Sequence, residues 1–178
     1  MWSTTGMPQD NAARGIELRA FTVADTEVLQ AGFADPQIAL WNQGPADGDV
    51  ATWWEARNDW SDGTHASWAV GGPDGALLGS VSVFRVDLDQ AIAEIGYFVL
   101  PGARGKGVAT AAVRAASDYA FGAIGVRRLE LFHAVANPAS CRVAAAARFA
   151  LEGTLRQSHR YGDGVWHDEH LHARLRTD

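Results

Sequence analysis

Residues 93–119 read AEIGYFVLP, then GARGKGVAT, then AAVRAASDY. The first piece predicts a buried strand and the second a glycine-rich turn carrying Arg104 and Lys106. The third predicts a helix opening at about Val108. Free backbone N–H groups at a helix N-terminus, flanked by cations, form a ready site for phosphates. Two phosphate-binding patterns fail here. A Walker loop needs Gly-Lys-Ser/Thr, and Lys106 is followed by Gly107. A dinucleotide fingerprint needs a third glycine, where Thr110 stands, and Pro101 interrupts the passage from strand to turn.

Upstream, SWAVGG, ALLGSVSVFRV and AIAEIGYFVL are joined by the turns GPDG and DLDQ. Short Gly, Pro and Asp turns between such strands predict an antiparallel meander, which is wrong for a doubly wound sheet. Before it, Ile16–Phe21 alternates as a strand, and Thr22 with Asp25 forms a capping-box pattern ahead of a helix through Val28 and Leu29. Residues 34–48, with Pro36, Gly44, Pro45 and Gly48, read as a loop. Asp49 then caps a helix on which Val50, Trp53 and Trp54 share a face. Downstream, residues 128–136 alternate as a strand. Asn137-Pro138 opens a last helix, expected to run to about Phe149. Two strands around Gly162-Asp163-Gly164 close the chain. The order β-α-α-β-β-β-α-β-α-β-β describes one mixed α/β domain over residues 16–176, after a polar, flexible tail at 1–15.

Composition narrows the function. A net charge of −6 argues against a nucleic-acid binder. No apolar run reaches transmembrane length, nor does the start resemble a signal peptide, which predicts a cytoplasmic protein away from membranes. The single cysteine, Cys141, allows no intrachain disulfide. Residues 1–90 hold 4 basic and 13 acidic groups, residues 91–178 hold 11 and 8. The basic half suits an anionic ligand and the acidic half a cationic one, unless both are plain solvated surface. Six of seven tryptophans (Trp2, Trp41, Trp53, Trp54, Trp60 and Trp68) precede residue 70. They either pack helices on the sheet or, as with Trp41, line a substrate cleft.

Arg104-x-x-Gly107-x-Ala109, after a strand ending Val99-x-Pro101, resembles the acyl-CoA-binding motif of the GNAT superfamily of N-acyltransferases. The element order and the Asn137 helix extend the resemblance over residues 15–176. ELRAF, AEIGY, NPAS and LEGTLR look like its RimJ/RimL-type branch, whose members acetylate protein α-amino groups or small-molecule amines. The resemblance implies a GNAT-like α+β fold, acetyl-CoA or another acyl-CoA as co-substrate, and a homodimer in many members; the single cysteine, which forms no thiolate cage, predicts no metal. The turn's own chemistry agrees: the pyrophosphate would sit on the N–H groups of Gly105, Lys106, Gly107, Val108 and Ala109, with charge from Arg104 and Lys106 unless either is simply solvated. The resemblance lays the pantetheine arm along Phe98, Val99 and Leu100, after a bulge in the fourth strand, with the thioester carbonyl on the N–H of Val99 or its neighbour. Asn137 would cap its helix and contact pantetheine.

Direct attack by an amine needs a base and a proton for the departing thiolate. Many relatives place a tyrosine seven residues after the capping Asn, where this chain has Ala144. The branch's serine matches Ser140, which is the candidate acid unless it only satisfies local backbone groups. Glu94 is the candidate base unless it is a structural ion pair. His133 has the better pKa but an apolar-looking face, so it reads as a core histidine or a substrate contact. Asp168, His170 and His172 share a strand face that could chelate a metal, although surface or pocket lining is the commoner use of such a strand. Cys141 is expected to pack in the last helix. The alternative to an enzyme is a catalytically silent CoA-binding or protein-interaction module. A nucleotide-binding domain is weakened by the failed fingerprints. Finally, the last helix lacks the family's Gly-Phe ending and has Arg148-Phe149, so its exit differs or the helix runs longer.

Overall fold

The computed structural model describes residues 15–178. The tail expected at 1–15, with Trp2, lies outside them apart from Gly15. A seven-stranded sheet has the order β1-β2-β3-β4-β5-β7-β6. Its strands are β1 (Glu17–Arg19), β2 (Ala66–Gly71), β3 (Leu77–Asp87), β4 (Ile92–Val99), β5 (Arg128–Ala134), β6 (Ala150–Arg160) and β7 (Trp166–Leu175). Helices α1 (Thr26–Phe33), α2 (Pro36–Trp41) and α3 (Val50–Asn58) precede β2, and α4 (Val108–Tyr119) and α5 (Pro138–Ala146) flank β5. Every neighbouring pair is antiparallel except β4 and β5.

The meander forms where the turn chemistry predicts it. Gly75, at φ 80°, donates to Gly72, and Asp74 accepts from Ala76. Alternation then sorts the side chains of β4. Ala93 and Ile95 enter the core beneath α4, where they meet Val81, Val83, Leu129, Ala112 and Val113, with Tyr97 and Val99 packed against it. Burying each such valine contributes about 1.5–3 kcal/mol. Trp60, Trp68 and Tyr119 close that core edge to face, so these tryptophans are packing residues. Phe98 turns the other way, into a smaller core with Phe21, Leu29, Ile38 and Leu100 and the flanking rings of Phe33 and Trp53. Among the described residues no helix is long and apolar enough to cross a membrane.

Several boundaries differ from the sequence reading. Residues 34–48 are not all loop: Asp35 accepts from the N–H groups of Gln37 and Ile38, and Pro36 at the first position opens α2. Proline and the nearby Gly44-Pro45 mimic loop chemistry, yet proline is at home at a helix start. Strand β1 is shorter than Ile16–Phe21, and β5 ends at Ala134 rather than Ala136. Helix α4 passes into a π-helical turn over Ala120–Ile124, ended by Gly125 at φ 89°.

Helix α5 stops at Ala146, short of Phe149. Phe149 N–H donates to the Ala144 carbonyl and Arg148 N–H to Ala145, the hydrogen bonds of a Schellman ending. Arg148 takes the left-handed conformation (φ 68°) normally given to glycine.

The expected bulge in β4 is also absent. Its ladder with β3 is regular from Glu94 to Val99, and the register shift lies around Arg85, at φ 49°. The opening arises differently. β4 pairs with β5 only over Ile92–Glu94, opposite Arg128–Glu130. Beyond that β5 follows β7 out to Ala134, and the two parallel strands part.

Candidate active site

One wall of the opening is the start of α4. Gly107 stands at φ 79°, which a residue with a Cβ adopts only under strain, and no side chain caps the helix. Ala111 N–H makes the first α-helical bond, to Gly107. The preceding N–H groups of the turn therefore lack intrahelical partners and face an anion's position. Lys106 is exposed, its Nζ 2.7 Å from the Gly102 carbonyl. Arg104 is engaged elsewhere: its guanidinium lies 2.5 Å from Asp35, the cap of α2, and its Nε donates to Val99 at 3.2 Å. That guanidinium holds the Asp35 carboxyl below the usual carboxylate range.

The second wall is the free edge of β4. Leu100 N–H donates to Leu78 across β3. Backbone groups alternate along a strand, so Val99 N–H and C=O face the side that β5 has left. A cavity of about 760 Å³ joins these walls, running from Gly105, Gly107, Val108 and Ala109 past Phe98 and Val99 to Tyr97, Asn137 and Ser140.

At its far end lies a pair of hydroxyls. Tyr97 Oη and Ser140 Oγ are 3.0 Å apart, and Asn137 Oδ1 accepts from Ser140 N–H at 3.2 Å. Asn137 thus caps α5 and fixes the turn that presents Ser140. Sequence reasoning missed Tyr97. The signal was available: a tyrosine facing the core between Ile95 and Val99 needs a partner for its hydroxyl. Burial pushes its pKa up to about 12, against the opposing pull of the Ser140 hydrogen bond. Ala144, at the position of the absent tyrosine, is fully buried.

Glu94 lies on the opposite face of β4 and accepts from Arg85 at 2.8 Å. On that face a second cavity, of about 450 Å³, is lined by Trp53, Arg57, His65, Ser67, Ser80 and Ser82 among others. Arg57 sits 3.7 Å over the Trp53 ring, and burial brings its pKa down to about 10. Among the described residues no carboxylate lines this cavity, although the first half of the chain is acidic. Trp41 lines the larger cavity and packs edge to face on Tyr161 and His167, so it is both packing and wall. Gly162 lets the β6–β7 turn meet α2 directly, donating to the Leu40 carbonyl where a Cβ would lie 2.0 Å from Ala39 O.

His133 is buried, borders the small space between the two hydroxyls and β5, and lies beside His170 and His172. Burial lowers the pKa of His133 and of His172. Cys141 is part-exposed, 3.9 Å from His172. Asp168 accepts from Gln157 N–H, and His167 is paired with Asp163.

The chain belongs to the acetyltransferase (GNAT) domain family, which residues 16–150 match. It is 38% identical over 107 residues to the probable N-acetyltransferase YjcK of Bacillus subtilis (strain 168), covering 59% of this chain and 58% of that protein. It is 34% identical over 105 residues to the putative ribosomal N-acetyltransferase YdaF of the same organism, covering 59% and 57%. The chain thus spans little more than half the length of these relatives. Among solved structures, Mycobacterium smegmatis RimJ in complex with CoA-disulfide superposes with a TM-score of 0.81 at 25% identity, over 90% of this chain and 81% of that one.

Proposed function

We propose that the chain is an acyl-CoA-dependent N-acyltransferase that moves an acetyl group to a primary amine by direct attack. The parting of β4 from β5 carries this reading, because it opens one path from the bare N-terminus of α4 to the Tyr97–Ser140 pair. The pyrophosphate rests on the N–H groups of residues 105–109, with Lys106 adding charge. The pantetheine arm lies along the open edge of β4, where Val99 N–H is its donor while Arg104 holds the Val99 carbonyl. Val99 N–H polarises the thioester carbonyl and stabilises its developing oxyanion.

The amine lone pair forms the N–C bond while the C–S bond breaks. Ser140 protonates the departing thiolate and is resupplied by Tyr97, which takes the part of the tyrosine absent at Ala144 and regains its proton from water once the product thiol leaves. The proton lost by the amine passes through water to Glu94, which Arg85 holds in place. Removing the hydroxyl of either Ser140 or Tyr97 costs about 10²-fold in turnover, at the lower end for general acid catalysis.

The acceptor side favours an amine that carries a carbonyl or carboxylate, such as a peptide N-terminus or an amino acid. Arg57 and three serines suit those groups, whereas the carboxylate that a polyamine would need, Glu94 on the same strand face, is already paired with Arg85 at 2.8 Å. Thiol release from acetyl-CoA, measured with an amine panel, tests this. Peptides with free N-termini should raise turnover above hydrolysis, and spermidine should not. If no amine does so while CoA still binds, the chain is a silent CoA-binding module and the proposal fails.

A further inference from the structure

His133, His170 and His172 meet Cys141 where β5, β7 and α5 come together. One ring nitrogen from each histidine and the thiol sulfur all lie within 4.8 Å of one another. The hydrogen bonds around the cluster fix the chemistry. His133 Nδ1 is 2.8 Å from the Ala134 carbonyl and His172 Nδ1 is 3.3 Å from the Phe149 carbonyl. Carbonyl oxygens only accept, so each Nδ1 carries a hydrogen, and in the neutral ring each Nε2 then presents a bare lone pair. Those two Nε2 atoms face each other at 3.2 Å. Two lone pairs at that distance repel unless something positive lies between them. His170 Nδ1 is buried and has no hydrogen-bond partner among the described residues. An Nδ1–H anchored on a backbone carbonyl is also how metal-ligating histidines are commonly oriented.

We propose that this cluster binds a soft divalent cation of the zinc class, with His133, His170, His172 and Cys141 as ligands. A tetrahedral ion with nitrogen at ~2.1 Å and sulfur at ~2.3 Å sets N···N edges of ~3.4 Å and N···S edges of ~3.6 Å. Two of the six spacings come close to this, 3.2 Å between His133 and His172 and 3.9 Å from Cys141 to His172, and the set as a whole extends to 4.8 Å. On binding, the widest edges contract by about 1 Å to reach tetrahedral values, so the ion draws the four side chains inward. Three imidazoles and a thiolate select zinc, cobalt or copper over magnesium or calcium. His133 and His172 are buried while His170 and Cys141 are part-exposed, which gives the ion a way in. The ion would clamp β5 and β7 to the turn of α5 that carries Ser140, next to Cys141. This site does not depend on the proposed acyl transfer, and its test reads metal alone.

The untagged full chain, stripped with chelator under reducing conditions, is titrated with cobalt(II) and then with zinc(II). The expected result is about one ion per chain, with the intense visible bands of tetrahedral cobalt and a sulfur-to-cobalt band in the near ultraviolet. Cys141→Ser should abolish the sulfur band, and both Cys141→Ser and His170→Gln should weaken zinc binding by about tenfold or more. His167→Gln, outside the cluster, should bind as the parent does. Circular dichroism of each variant establishes that it is folded. Fewer than about one-tenth of an ion per parent chain, or bands and affinity unchanged in folded Cys141→Ser, overturns the proposal.

Discussion

Helices α4 and α5 stand on the same face of the sheet and border the same opening, but they begin in opposite ways. Gly107 starts α4 with no side-chain cap, which leaves main-chain N–H groups for a ligand. Asn137 starts α5 by accepting from Ser140 N–H, and Pro138 removes another donor. One N-terminus therefore offers backbone and charge, and the other has spent its backbone and offers side chains. In the proposed reaction, binding and chemistry are thereby divided between two helix starts. An anion site needs little more than glycines and geometry, whereas proton delivery needs particular atoms at particular places.

The largest expected break of this division lies at α5. Ser140→Ala and Tyr97→Phe should each lower kcat by about 10²-fold and leave the KM for acetyl-CoA unchanged. If the two hydroxyls act as one relay, the double variant falls little further than either single one. Because the Tyr97 pKa stands at about 12, kcat should also keep its value as pH rises through the ordinary tyrosine range near 10. Steady-state kinetics across pH checks both statements.

The reverse pattern is expected at α4. Gly107→Val forces a branched side chain to φ 79° at a cost of about 1–2 kcal/mol, weakening CoA about tenfold by calorimetry while saturated kcat survives. Lys106→Ala should weaken CoA by only about threefold, and the difference should fade in ~1 M salt, as an exposed charge requires. The smallest effect belongs to the far end of α5. Arg148→Gly relieves a left-handed arginine and should add up to about 1 kcal/mol, or 2–4 °C in Tm, with no change in activity.

What was legible in the sequence follows the same division. The glycine turn, the meander, the Thr22–Asp25 capping box and the Asn137 cap are local, and all appear in the structure. Helix α2 was hidden because Asp35-Pro36 serves a helix start as well as a turn. The Tyr97–Ser140 pair spans 43 residues and the His133–His172 contact 39, so neither is visible as spacing along a chain. Arg104 shows the same limit: its position in the motif suggests a phosphate, yet tertiary contact gives it Asp35 and Val99.

The parting of β4 from β5 also has a consequence for solubility. It creates a strand edge in the interior of a sheet, with donors and acceptors exposed as on any outer edge, and such edges recruit other chains. Here the edge is recessed between two helices and Arg104 occupies the Val99 carbonyl, so a foreign strand finds little room to dock. A slim chain such as a pantetheine arm passes where a polypeptide does not. In the proposed complex, the cleft that admits the pantetheine arm thus also shields the strand edge that it opens.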